Sequence, residues 1–142
     1  MAVFVMVIDD SLVMRKIVET CLHRAGYEVV CAEDGESALQ RAQECKPDLI
    51  LLDMILPKMS GPDVLKHLKS EPATVEIPVV VVSSLSEKNR EKLIAEGAED
   101  YIAKGEIMAG RGINLLPKML ENIICRINRK RGVAFSSVPL HD

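Results

Sequence analysis

Apolar positions along this chain fall into two alternating patterns. Residues 3–8 form an unbroken apolar run rich in β-branched side chains, as expected of a strand covered on both faces. Met14, Ile17, Val18, Cys21, Leu22 and Ala25 then recur at steps of three and four, which predicts an amphipathic helix that Gly26 can close in a left-handed cap. The unit repeats: residues 28–32 read as a strand, and Asp34 is placed to cap a helix through Ala38, Leu39 and Ala42, which Lys46-Pro47 stops. Residues 48–53 read as a third, buried strand. A loop with Pro57, Ser60, Gly61 and Pro62 follows it, then a helix through Val64, Leu65 and Leu68 with Ser60 and Asp63 as a capping box. Residues 78–83 make a fourth strand, and Ser84 with Glu87 offers a capping box for a helix through Leu93 and Ile94. Residues 98–103 predict a short fifth strand. Leu116, Met119, Leu120, Ile123, Ile124 and Ile127 predict a last long helix.

Five strand–helix pairs with continuously apolar strands imply an α/β domain: a doubly wound, five-stranded parallel sheet with helices on both faces. Residues 1–131 are expected to form this domain, and residues 132–142 a polar C-terminal tail that frays. With 142 residues the chain has room for one core of this kind.

Composition narrows the function classes. Eighteen Lys and Arg against twenty-one Asp and Glu give a net charge of -3, which does not recommend nucleic acid or an anionic membrane as partner. No apolar run is long enough for a bilayer, so a cytoplasmic location is expected. Cys21, Cys31, Cys45 and Cys125 are widely spaced, suggesting neither a zinc site nor a disulfide framework, and are expected to be reduced and packed.

In an open parallel sheet the ligand site lies beyond the carboxyl ends of the strands, where the strand order reverses. Asp9 and Asp10 end the first predicted strand, Asp53 the third and Ser83 the fourth, and Lys104 follows the fifth. Singly each has a plainer role: Asp9 and Asp10 as helix caps, Asp53 as a turn residue, Ser83 as a helix start, Lys104 as a solvated charge. Together at one sheet edge, three carboxylates repel one another and call for a cation. Oxygen-only ligands without His or Cys suit Mg²⁺. A carboxylate beside that ion can attack phosphorus, and the ammonium and hydroxyl can stabilise the phosphoryl oxygens, so an aspartyl phosphate is the chemistry implied.

The strings Val7-Ile8-Asp9-Asp10-Ser11, residues 52–61, residues 78–84 and residues 97–104, in this order and spacing, resemble response regulator receiver domains of the stand-alone, CheY-like kind. The resemblance implies a flavodoxin-like receiver fold and two-component phosphorelay signalling, not an enzyme beyond its own phosphorylation and dephosphorylation. Asp53 matches the phosphoacceptor. Asp10 and Asp53 match direct metal ligands, Asp9 the acid acting largely through water, and Ile55 the backbone-carbonyl ligand, with Mg²⁺ as cofactor and Mn²⁺ able to substitute. Ser83 matches the switch hydroxyl, Lys104 the phosphate-pairing lysine and Tyr101 the switch aromatic, whose plainer reading is a half-buried residue on an edge strand. The implied partners are a sensor histidine kinase or phosphotransfer protein and a downstream protein target. That target would meet the face of helix 4, strand 5 and helix 5, including residues 88–92, on a monomer or a phosphorylation-dependent dimer. A pseudo-receiver, an interaction or dimerisation module with this fold and no working switch, is the alternative.

Two departures from the family pattern stand out. The lysine is followed by Gly105 in place of the usual proline, so a trans bond is expected, and residues 105–112 form a longer connection than usual. Ile55 and Leu85, two residues past Asp53 and Ser83, occupy positions that in the family set access of the hydrolytic water. Both are apolar, which predicts slow self-dephosphorylation.

Overall fold

The computed structural model describes residues 3–84, 89–108 and 112–131. Five parallel strands form one sheet: β1 (Phe4–Ile8), β2 (Glu28–Ala32), β3 (Leu49–Leu52), β4 (Val79–Ser83) and β5 (Asp100–Ala103), in the order β2-β1-β3-β4-β5. Among the described residues six helices connect or follow them: α1 (Leu12–Arg24), α2 (Gly35–Cys45), α3 (Gly61–Ser70), α4 (Arg90–Ala95), α5 (Lys104–Met108) and α6 (Gly112–Arg131).

Strand side chains alternate between the two faces. Val5 and Val7 of β1, Leu49 and Leu51 of β3, and Val80 and Val82 of β4 pack with α1, α5 and α6. Met6 and Ile8, Ile50 and Leu52, and Val79 and Val81 pack with α2, α3 and α4. Both faces are covered, which explains why the strands read as unbroken apolar runs. Each fully buried Leu, Ile or Val contributes about 1.5–3 kcal/mol of transfer free energy.

Helix ends follow local rules. Ser11 caps α1 by accepting from the Met14 N–H, and Asp34 caps α2 by accepting from the Ser37 N–H. Ser60 does the same for α3, accepting from the Asp63 N–H, which is the Ser60 half of the predicted capping box. At the C-terminus of α1, Gly26 takes φ 94°, its N–H donates to the His23 carbonyl and Tyr27 N–H donates to Leu22. This double bond pattern needs a left-handed residue that glycine supplies without strain.

Several expectations are corrected. The fifth strand starts at Asp100, two residues late, because Gly97 at φ 115° and Ala98 complete the same kind of turn behind α4. The Ser84–Glu87 capping pair falls partly outside the described residues. The helix begins at Arg90, and Asn89 before it makes no side-chain capping bond. The described residues form six helices, since the connection after β5 holds the five-residue α5. The last helix starts at Gly112, ahead of the apolar repeat that marked it. Only Cys21 and Cys31 are half-buried; Cys45 and Cys125 are exposed. The Lys104–Gly105 bond is trans, as expected. The tail, residues 132–142, lies outside the described residues.

Pro117 sits inside α6 and has no N–H for the Ile113 carbonyl one turn earlier. That carbonyl accepts instead from the Cys21 thiol of α1, at 2.9 Å. A side chain of the neighbouring helix thus replaces the missing helical bond.

Candidate functional site

The strand order reverses between β1 and β3, since the chain leaves β1 for β2 on one side and returns to β3 on the other. Asp9 follows the last residue of β1 and Asp53 the last of β3, so both emerge at this switch point. Their backbones are locked by the ladder: Asp9 N–H donates to Ala32 and Asp53 N–H to Ile8. Ser83 ends β4 and is fully buried, and Lys104 opens α5 directly after β5.

The structure brings the predicted acidic set together. One carboxylate oxygen from each of Asp9, Asp10 and Asp53 lies within 4.8 Å of the others. Asp9 and Asp53 are buried and Asp10 is exposed. The Lys104 ammonium bridges the two buried members, 2.9 Å from Asp9 Oδ2 and 2.9 Å from Asp53 Oδ2. The Ile55 N–H donates to Asp53 Oδ1 at 3.2 Å, and the Ser11 N–H to Asp9 Oδ1 at 2.9 Å. Asp9 and Asp10 are free of capping duty because Ser11 performs it.

Electrostatically the cluster lacks positive charge. Burial pushes the Asp53 carboxyl above its ordinary 3.8, against the hydrogen bonds from Lys104 and Ile55, and the charge of Asp9 adds to the rise. Burial alone would lower the Lys104 ammonium, but its hydrogen bonds to Asp9 and Asp53 outweigh this and hold it above 10.5. Both statements fit one picture: a single ammonium shared by two carboxylates satisfies itself more fully than it satisfies either. Three carboxylates and one ammonium leave a net charge of two negatives, which one divalent cation would balance. The donors are all oxygens, which suits a hard ion such as Mg²⁺.

Similarity to known proteins agrees with this geometry. A family model described as the response regulator receiver domain matches residues 5–109. This chain belongs to the response regulator receiver family. The receiver domain is 42% identical over 105 residues to the phosphate regulon transcriptional regulatory protein PhoB of Escherichia coli, covering 73% of this chain and 46% of that protein. It is 34% identical over 120 residues to a gliding motility regulatory protein of Myxococcus xanthus, covering 84% of this chain and 15% of that protein. The chain thus spans half or less of the length of these relatives. Among solved structures, the chemotaxis response regulator CheY4 of Vibrio cholerae superposes with a TM-score of 0.75 at 28% identity, over 87% of this chain and 99% of that one. The response regulator domain of Thermotoga maritima CheB gives 0.74 at 31% identity, over 90% and 98%.

Other features of this receiver domain were not legible in its motifs. Tyr101, matched to the switch aromatic and on its plainer reading half-buried on an edge strand, is in fact buried, against the side of the sheet that carries Leu93 of α4. Next to it, Asp100 accepts from Arg90 of α4 at 2.9 Å and Arg126 of α6 at 2.8 Å, tying both helices to β5. Gly61 lies so close to the phosphoacceptor candidate that an added Cβ would stand 2.5 Å from the Asp53 carbonyl oxygen. Arg15 Nη1 donates to the Asp9 carbonyl at 2.7 Å. Only Gly61 left a sequence signal, as a glycine in the loop after Asp53. Leu85 and residue 88 lie outside the described residues. Among the described residues, no helix is long and apolar enough to cross a membrane.

Proposed function

We propose that this receiver domain accepts a phosphoryl group on Asp53 from a phosphohistidine donor, with Mg²⁺ held by Asp10, Asp53 and the Ile55 carbonyl and by Asp9 largely through water. The observation that carries this reading is the Lys104 ammonium spanning Asp9 and Asp53 at 2.9 Å each, beside a carboxylate cluster short of two positive charges. Mn²⁺ would fill the same oxygen set.

In the transfer, an Asp53 carboxylate oxygen attacks phosphorus, the O–P bond forms and the P–N bond to the donor imidazole breaks. The imidazole nitrogen leaves with the electron pair and takes up a proton. Mg²⁺ bound at the site would offset charge on the phosphoryl oxygens. The Lys104 ammonium is positioned to leave its carboxylate contact for a phosphoryl oxygen, and the buried Ser83 hydroxyl to supply a further hydrogen bond. Asp53 accepts and releases the group as a signalling device, and the domain turns over no separate substrate. We place the output on the face of α4, β5 and α6, where Asp100 links the helices and Tyr101 is packed, with a protein as the partner that reads it.

Labelling with acetyl phosphate and Mg²⁺, wild type against Asp53→Asn, tests the acceptor; equal labelling of the two chains overturns the assignment. Beryllofluoride with Mg²⁺ separates this reading from a phosphorylation-independent interaction module, which would not bind the analogue.

A further inference from the structure

Resting on that metal-site reading, we infer that Arg15 is a positioning residue for the cation: it fixes the turn that aims Asp10. The Asp9 carbonyl leaves the sheet just where the ladder ends, since the last paired residues are Ile8 with Ala32 and Ile8 with Leu52. It also lies ahead of α1, whose first turn is closed by Arg15 N–H on the Ser11 carbonyl. Neither strand nor helix therefore supplies a donor to it. Arg15 Nη1 does so, at 2.7 Å, from six residues along the chain.

This bond acts on the peptide joining Asp9 to Asp10. On one side the Asp9 carboxylate is anchored by the Ser11 N–H and by Lys104. Asp10 is exposed, and no hydrogen bond among the described residues holds its side chain. The backbone beneath it sets where its side chain starts and so which rotamers reach the other two carboxylates, and Arg15 holds the carbonyl of that backbone. A guanidinium has the reach and the fixed donor plane for this, and because it remains charged it never becomes an acceptor.

Charge and geometry make opposite demands, which makes the inference testable. As a positive charge near the site, Arg15 disfavours a cation, so its removal should tighten Mg²⁺ binding if charge were its only effect. As the group that holds the turn, its removal should weaken binding; loss of a supporting hydrogen bond around a metal ligand typically costs about tenfold or more.

The experiment is calorimetric titration of the full metal-free chain with MgCl₂, comparing wild type, Arg15→Met and Arg15→Lys, with thermal unfolding to verify the fold. Arg15→Met is expected to bind Mg²⁺ roughly tenfold more weakly although it removes a positive charge. Equal or tighter binding by a folded Arg15→Met overturns the inference. Should Arg15→Met fail to fold, Arg15→Lys decides: with the charge retained, weaker binding supports the positioning role and unchanged binding overturns it. A wild-type chain that takes up no Mg²⁺ sinks the metal-site reading itself, and this inference with it, whereas a binding wild type with indifferent variants sinks the inference alone.

Discussion

Lys104 and Asp53, 51 residues apart, meet at 2.9 Å, yet the carboxyl of Asp53 still lies above its ordinary range. Burial outweighs a partner that Asp53 must share with Asp9. Without a divalent ion, Asp53 is thus a charge that opposes folding.

The sign of the pH dependence follows. Between 3.8 and its raised value, folded Asp53 keeps a proton that the unfolded chain has lost, so stability falls as pH rises through that window. Asp53→Asn is expected to raise the urea midpoint of the metal-free chain at neutral pH and to remove this component. A variant midpoint below wild type speaks against it. Mg²⁺ at about a hundred times its Kd should stabilise wild type by about 2.7 kcal/mol and Asp53→Asn by distinctly less.

Gly61→Ala is expected to damage fold and site together. The added methyl would collide with the Met54 Cα and stand 2.5 Å from the Asp53 carbonyl, and backbone atoms cannot swing aside as side chains do. A loss of about 2–3 kcal/mol in chemical denaturation is expected, with weakened Mg²⁺ uptake. A neutral substitution would mean that the loop relaxes freely.

Cys21→Ala strands the Ile113 carbonyl that Pro117 cannot serve. A cost of about 1–2 kcal/mol is expected, partly recovered in Cys21→Ser, whose hydroxyl donates in the same direction. If alanine and serine unfold at the same denaturant concentration, the thiol bond contributes nothing.

Asp100→Ala removes the acceptor shared by Arg90 and Arg126. Both guanidinium groups are about half exposed, so the expected loss is modest, about 1 kcal/mol, and should shrink in high salt. Hydrogen exchange should quicken in α4 and α6 together; exchange confined to β5 would show that the aspartate does not couple them.

Ile55 is 54% exposed beside Asp53, and an apolar side chain there offers a hydrolytic water no hydrogen bond. Phosphorylated protein freed of donor is expected to outlast seconds, and Ile55→Asn to shorten its lifetime. Rapid decay, unchanged by that substitution, would dismiss the role.

Much was legible from residue order because it rests on local rules. Two-faced burial of parallel strands produces unbroken apolar runs, as in β3 and β4, and helix caps such as Ser60 need partners only three residues away. Even the site could be listed, since a switch-point rule turns strand ends into neighbours, and Asp9, Asp10, Asp53, Ser83 and Lys104 all lie at or just past the carboxyl ends of strands. What the pattern left out depends on distance across the fold. The extra helix α5, the early start of α6, the thiol that completes the ladder around Pro117, and the arginines on Asp9 and Asp100 follow from side chains reaching elements that no periodicity connects to them.

The sequence by itself determined the alternation of strands and helices, the parallel sheet and the identity of the acidic set, because these follow from period, capping and chain order. Only the tertiary structure decided that Lys104 is shared by two buried carboxylates, that Asp10 alone faces solvent, and that Arg15 holds the turn between them. Hydrogen bonds and desolvation act through space over a few ångströms, and packing alone sets those separations.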